Sequence, residues 1–191
     1  MMLNGIAVVV VCVSLVVGVS SVVPVSDIEN CRYTGADGNV YDLSPLIAKN
    51  GAYVFDTRSY NINGYNILSP EESGLTESKY TYHLQICRNV TNPPQGCKGS
   101  SPIFRVDIGL HCASLGNIDA AIFEINPLPR NDGVHLLYYH GDLVDGSRLQ
   151  RYHSSIYFVC NNRTEIGPLF EHQTDFYQSH FVFQTIHACR P

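Results

Sequence analysis

The chain has 191 residues, only 15% of them charged, and a formal net charge of −5 at pH 7. Its lysines are confined to Lys49, Lys79 and Lys98, and no basic run is present to follow a phosphate backbone, which argues against nucleic acid as a partner. The length suits one domain with its own core.

The chain opens on an apolar stretch, Leu3 to Val25, with no charged side chain before Asp27. As a signal peptide spanning residues 1–20, it has an h-region from Ile6 to Val17 and small residues, Gly18-Val19-Ser20, at the cleavage site. As a membrane anchor, it is just long enough for the about 20 residues that a bilayer requires. Gly18, Ser20, Ser21 and Pro24 interrupt the apolar run and favour cleavage, although no Lys or Arg marks the n-region. No second apolar span follows, so the processed chain is expected to have no stable membrane span. Residues 21–30 form a short N-terminal segment, and 31–191 the domain.

Beyond the leader, short apolar runs replace helical stripes. Asp42 to Lys49 suits one helical turn. Tyr80 to Cys87, Phe104 to Ile108, Ile122 to Ile125, Val134 to Tyr139, Ser155 to Cys160 and His180 to Ile186 read as strands, rich in Val, Ile, Phe and Tyr. Asn92 to Gly96, Pro127 to Gly133 and Asp142 to Gly146 carry turn residues. Many short strands with turns between them imply an all-β sandwich or flattened barrel.

Of seven cysteines, Cys12 lies in the leader, leaving Cys31, Cys87, Cys97, Cys112, Cys160 and Cys189. An even number behind a leader implies disulfides and a secreted or lumenal location, but spacing alone does not choose the pairing. Asn89-Val90-Thr91 and Asn162-Arg163-Thr164 are N-glycosylation sequons. No Lys-Asp-Glu-Leu-type tail follows Cys189.

Chemistry-bearing motifs are scarce. Neither a His-Glu-x-x-His helix nor a Gly-x-Ser-x-Gly elbow is present, so neither an enzyme nor a cofactor nor a metal is expected. Glu171 with His172 and His180 is the sole zinc arrangement worth weighing, and partly exposed strand and loop residues are the simpler reading. The 12 tyrosines suit a binding surface and an all-β core equally.

Several landmarks, in order, resemble one family. Cys31-Arg32-Tyr33 is followed by Asp37-Gly38-Asn39-Val40-Tyr41-Asp42-Leu43-Ser44-Pro45-Leu46, and later by Tyr82-His83-Leu84-Gln85-Ile86-Cys87-Arg88. Ser114-Leu115-Gly116, Leu137-Tyr138-Tyr139-His140-Gly141-Asp142, Ser154 to Cys160 and Phe181-Val182-Phe183-Gln184-Thr185-Ile186-His187-Ala188-Cys189 complete the series. This order resembles a mannose-6-phosphate receptor homology domain, similar to a repeat of the cation-independent receptor. The resemblance implies a flattened β-barrel or sandwich of two crossed antiparallel sheets, stapled by Cys31–Cys87, Cys97–Cys112 and Cys160–Cys189. A fourth family bridge is lost at both ends, where Leu143, Val144, Asp145 and Tyr177 stand.

Sugar-binding members of the family resemble one another in a Gln, an Arg, a Glu and a Tyr. This set suits hydroxyls that both donate and accept, and a lost partner leaves a buried polar group unpaired at a cost of about 1–3 kcal/mol. Here Ala113 holds the Gln place, Tyr152 the Arg place and Ser179 the Tyr place, so the site is degenerate. Gln85 lies on another strand and is not the family Gln. Glu171 matches the family Glu better than Asp175 does. Arg151 and Tyr177 are displaced neighbours: Arg151 slips by one residue, which turns a strand side chain to the other face. Tyr177 is two from Ser179 and shares its face if extended. The carbohydrate-binding candidates are therefore Glu171, Arg151 and Tyr177, and nothing marks a dedicated phosphate pocket.

The resemblance implies a non-catalytic lectin-like domain of the secretory pathway. Its partner would be a high-mannose glycan or a glycoprotein, as in lysosomal-enzyme sorting or glycoprotein quality control. The alternative is a protein-binding module on the same fold with a lost sugar site.

Overall fold

The computed structural model describes residues 23–56, 80–125, 133–163, 165–174 and 177–190, with the side chains of 169–174 outside that description. The leader, Cys12, Asp175 and most of the Pro127–Gly133 loop lie outside the described residues. Among the described residues no helix is long and apolar enough to cross a membrane.

Twelve strands and three single 3-10 turns make up the described fold. A small N-terminal sheet joins β1 (Val25–Asp27), β2 (Arg32–Thr34) and β3 (Val40–Asp42). The second sheet runs β4 (Tyr53–Asp56), β5 (Thr81–Leu84), β6 (Ile103–Val106) and β7 (Cys112–Ser114) in that order. The third contains β8 (Ala121–Ile125), β9 (Gly133–Tyr138), β10 (His153–Cys160), β11 (Ile166–Thr174) and β12 (Gln178–Thr185), ordered β11-β12-β10-β9-β8. The expected strands are present, and the turn within Asp42–Lys49 is the 3-10 turn Ser44–Leu46.

Two features depart from a pair of antiparallel sheets. The N-terminal meander is a third sheet, packed on β8 through Tyr33, whose ring lies 6.0 Å from Phe123. In addition, β10 and β12 pair in parallel, from His153↔Gln178 to Cys160↔Thr185. The intervening β11 makes this possible: it crosses to the far side of β12 and pairs there antiparallel.

The core lies between the second and third sheets and is largely aromatic. Tyr82 and Phe55 from the second sheet meet Phe181 of the third edge-on, at 5.1 and 5.8 Å between ring centroids. Tyr53 meets Phe183 at 5.7 Å, and Phe183 stacks on Phe158 at 6.1 Å. Such pairs each contribute about 0.5–1.5 kcal/mol beyond the area they bury. Fully enclosed Tyr138 ties the core to a loop, its hydroxyl accepting from the Cys87 amide at 2.9 Å.

Three disulfides clamp the edges: Cys31–Cys87, Cys97–Cys112 and Cys160–Cys189. They are the pairings implied by the resemblance. Where the fourth is missing, hydrogen bonds hold the Gly141–Tyr152 hairpin. Ser114 N donates to Asp142 Oδ2 at 2.7 Å, Tyr152 N to Asp142 O at 2.9 Å, and Val144 N to Gln150 O at 2.9 Å.

Candidate functional site

Strand alternation decides which side chains enter the space between the two large sheets. On β5 and β6, Tyr82 pairs with Arg105 and Leu84 with Ile103. Tyr82, Leu84 and Ile103 all belong to the core, so Arg105 shares the inner face with them. Phe104 is thereby turned to the other face with His83. This is the reverse of what the Phe-Arg-Val pattern suggests, since the apolar neighbours of Arg105 lead a reader to place the arginine outside.

Arg105 is only 9% exposed. Its guanidinium carbon lies over two tyrosine rings, 4.5 Å from the centroid of Tyr80 and 4.7 Å from that of Tyr152. Across the strand it faces Ala113, whose small side chain leaves room for it. Burial raises the Tyr82 phenol above its usual range, while the Arg105 charge and the Ser179 hydroxyl act in the opposite sense. On the third sheet Ser179 pairs with Ser154, and both are buried on the inner face. The Ser154 hydroxyl has no hydrogen-bond partner among the described residues.

The result is a largely buried polar cluster between the two large sheets that brings together Arg105, Tyr80, Tyr82, Tyr152, Ser154 and Ser179. Tyr152 and Ser179 stand where the resemblance expects an arginine and a tyrosine, and Ala113 where it expects a glutamine. A guanidinium therefore reaches this region from β6, a strand to which the sequence pattern assigned no site residue. The one available signal was an arginine centred in an apolar strand of a chain poor in charge.

Of the candidates from sequence, Arg151 and Tyr177 are described in full and Glu171 in its backbone alone. Arg151 is exposed, and its Nη1 donates to the Gly141 carbonyl at 2.9 Å. Next to it Tyr152 is buried, so the one-residue slip does turn the two side chains apart. Tyr177 is in a turn rather than an extended segment, and its ring lies 5.4 Å from that of His153. Glu171 falls at a register shift of β11 between Phe170 and His172, and its side chain lies outside the described residues. Gln85 is a structural tie: its Oε1 accepts from Ala48 N at 2.8 Å and its Nε2 donates to Ala48 O at 3.0 Å.

Among the described side chains, three histidines occupy the outer face of the third sheet. His135 stacks on Tyr157 at 4.3 Å with the rings 6° apart, and burial pushes its pKa down to about 4. His180 Nδ1 lies 2.8 Å from Ser155 Oγ, and the ring of His153 lies 5.9 Å from that of Tyr139. Among the described residues no group of three His, Cys, Asp or Glu is placed to hold a metal ion.

Neither a family model nor a curated protein sequence matches the chain. Solved structures do. Chicken IGF2R domain 11 superposes with a TM-score of 0.57 at 19% identity, over 86% of this chain and 95% of that one. Domain 11 of the echidna mannose-6-phosphate/IGF2R receptor is 20% identical over 85% of this chain and 96% of that one, with a TM-score of 0.49. The chain has the fold of the mannose-6-phosphate receptor homology domains.

Proposed function

We propose that the protein is a non-catalytic, lectin-like domain of the secretory pathway that recognises a glycan or glycoprotein through the polar cluster around Arg105. The observation that carries this reading is a buried guanidinium flanked by two tyrosine rings and neighboured by hydroxyls, on a fold shared with a receptor domain. Aromatic faces, a fixed guanidinium fork and hydroxyls are the groups that recognise sugars. Residues 1–20 direct the chain to the secretory pathway, where the protein is secreted or lumenal. Of the two sequon asparagines, exposed Asn162 is its glycan acceptor. A glycan array with the purified protein, followed by calorimetry, tests the reading; no glycan bound at millimolar concentration removes it.

The second reading is a protein-binding module on the same fold. It is favoured by the small residues Ala113 and Ser179 at two expected sugar contacts, and by the engagement of Arg151 with Gly141. A partner that stays bound after both proteins are deglycosylated supports it, whereas one released by mannosidase contradicts it.

A further inference from the structure

Arg105 makes two ring contacts but no hydrogen bond or ion pair with any described residue. Tyrosine faces attract its charge, yet they do not satisfy its five N–H donors. A buried charge without a counter-ion is strongly disfavoured, and the described residues offer it none. The described residues around it are uncharged: Tyr82 is held in its neutral form by burial, and Ser154 and Ser179 contribute hydroxyls. Among the described residues the cluster thus holds one positive charge in a chain whose overall balance is negative.

We infer that the ligand of this cluster is an acidic sugar, with its carboxylate on the Arg105 guanidinium. This rests on the lectin-like reading and narrows it to a substrate class. Planarity is the first reason, because a guanidinium fork and a carboxylate make two parallel charge-assisted hydrogen bonds. Charge matching is the second. One arginine neutralises one carboxylate, while a phosphate monoester carries about −1.5 to −2 at pH 7 and calls for more than one cation. The enclosed Ser154 hydroxyl, without a partner among the described residues, is a second unsatisfied polar group in the same cluster.

Calorimetric titration of the purified protein with methyl β-D-glucuronide, N-acetylneuraminic acid, methyl β-D-glucoside and mannose 6-phosphate tests the inference. At least one carboxylate sugar is expected to bind about tenfold or more tightly than the neutral glucoside, and to weaken with added salt. Arg105→Gln is expected to abolish that preference, with Arg105→Lys retaining part of it. Equal binding of glucoside and glucuronide overturns the inference while leaving the lectin reading intact. A preference for the phosphate monoester overturns it likewise. Binding of no sugar at all removes both. The comparison between neutral and acidic sugars uses the unaltered protein, so it stands even if a variant fails to fold.

Discussion

The guanidinium of Arg105 lies 4.7 Å from the ring centroid of Tyr152, bringing a charge from one sheet onto an aromatic face from the far side of the fold. Tyr152 occupies the place where the family resemblance expects an arginine. The two residues together restore a cation to that neighbourhood by a different chain route.

If Arg105 is held for binding, its replacement should not weaken the fold. Arg105→Met keeps the stem that packs between Tyr80 and Tyr152 and removes a buried charge. Chemical denaturation is expected to show stability unchanged or raised by about 1–2 kcal/mol, with ligand binding lost. A loss above about 2 kcal/mol identifies Arg105 as a structural residue.

Strands β5, β6, β8, β9, β10 and β12 were legible in the sequence, because apolar runs of about four to eight residues leave little choice of element, whereas β4 and β7 of the second sheet and the N-terminal meander were not. What alternation did not convey was polarity of facing. In Phe104-Arg105-Val106 the apolar residues point away from the main core, because the pairing of Tyr82 with Arg105 fixes the register. The strand β11 was hidden by Gly167-Pro168 at its start, a polar tail at its end and two register shifts within it. Tyr177 was expected on the face of Ser179, and a local turn places it beside His153 instead. Site residues are harder to read than strands, since they depend on which strands become neighbours.

The buried imidazole of His135 predicts acid sensitivity. Its pKa falls from the unfolded value of about 6.5 to about 4, so between these values the unfolded chain binds the extra proton. The stabilisation is complete above about pH 6.5 and is lost as pH falls towards 4, by up to about 3 kcal/mol. His83, also lowered by burial, acts in the same sense. His135→Phe preserves the stack on Tyr157 and is expected to flatten the slope in thermal melts taken between about pH 7.5 and 4.5.

Removing different disulfides should cost different amounts. Cys97 and Cys112 are separated by 15 positions and Cys31 and Cys87 by 56. Loop-closure entropy gives about 3 and about 4 kcal/mol respectively. The second pair is also buried, so its double alanine variant leaves a cavity as well. Denaturant midpoints of the two double variants are expected in that order.

Gly141 is packed tightly against the backbone beside Tyr152. A Cβ there would meet the carbonyl oxygens of Ser114 and Tyr152 and the amide of Gly116. Gly141→Ala is expected to cost about 1–3 kcal/mol and to weaken ligand binding by displacing Tyr152. Wild-type stability in this variant contradicts the packing around that turn.

Of the two sequons, Asn162 is exposed between β10 and β11, whereas the Asn89 side-chain oxygen is enclosed. Asn162→Gln is expected to remove one glycan, seen as a mobility shift on secretion from cells, and to leave the fold unperturbed. Asn89→Gln is expected to disturb stability more than mobility.

The most direct test follows the arginine side chains themselves. With arginine Nε–Hε resonances assigned, the protein is titrated with methyl β-D-glucuronide. The account predicts a saturable shift of the Arg105 resonance, with that of Arg151 unchanged. A saturable shift at Arg151 with Arg105 fixed, or binding that leaves Arg105 unmoved, would contradict it.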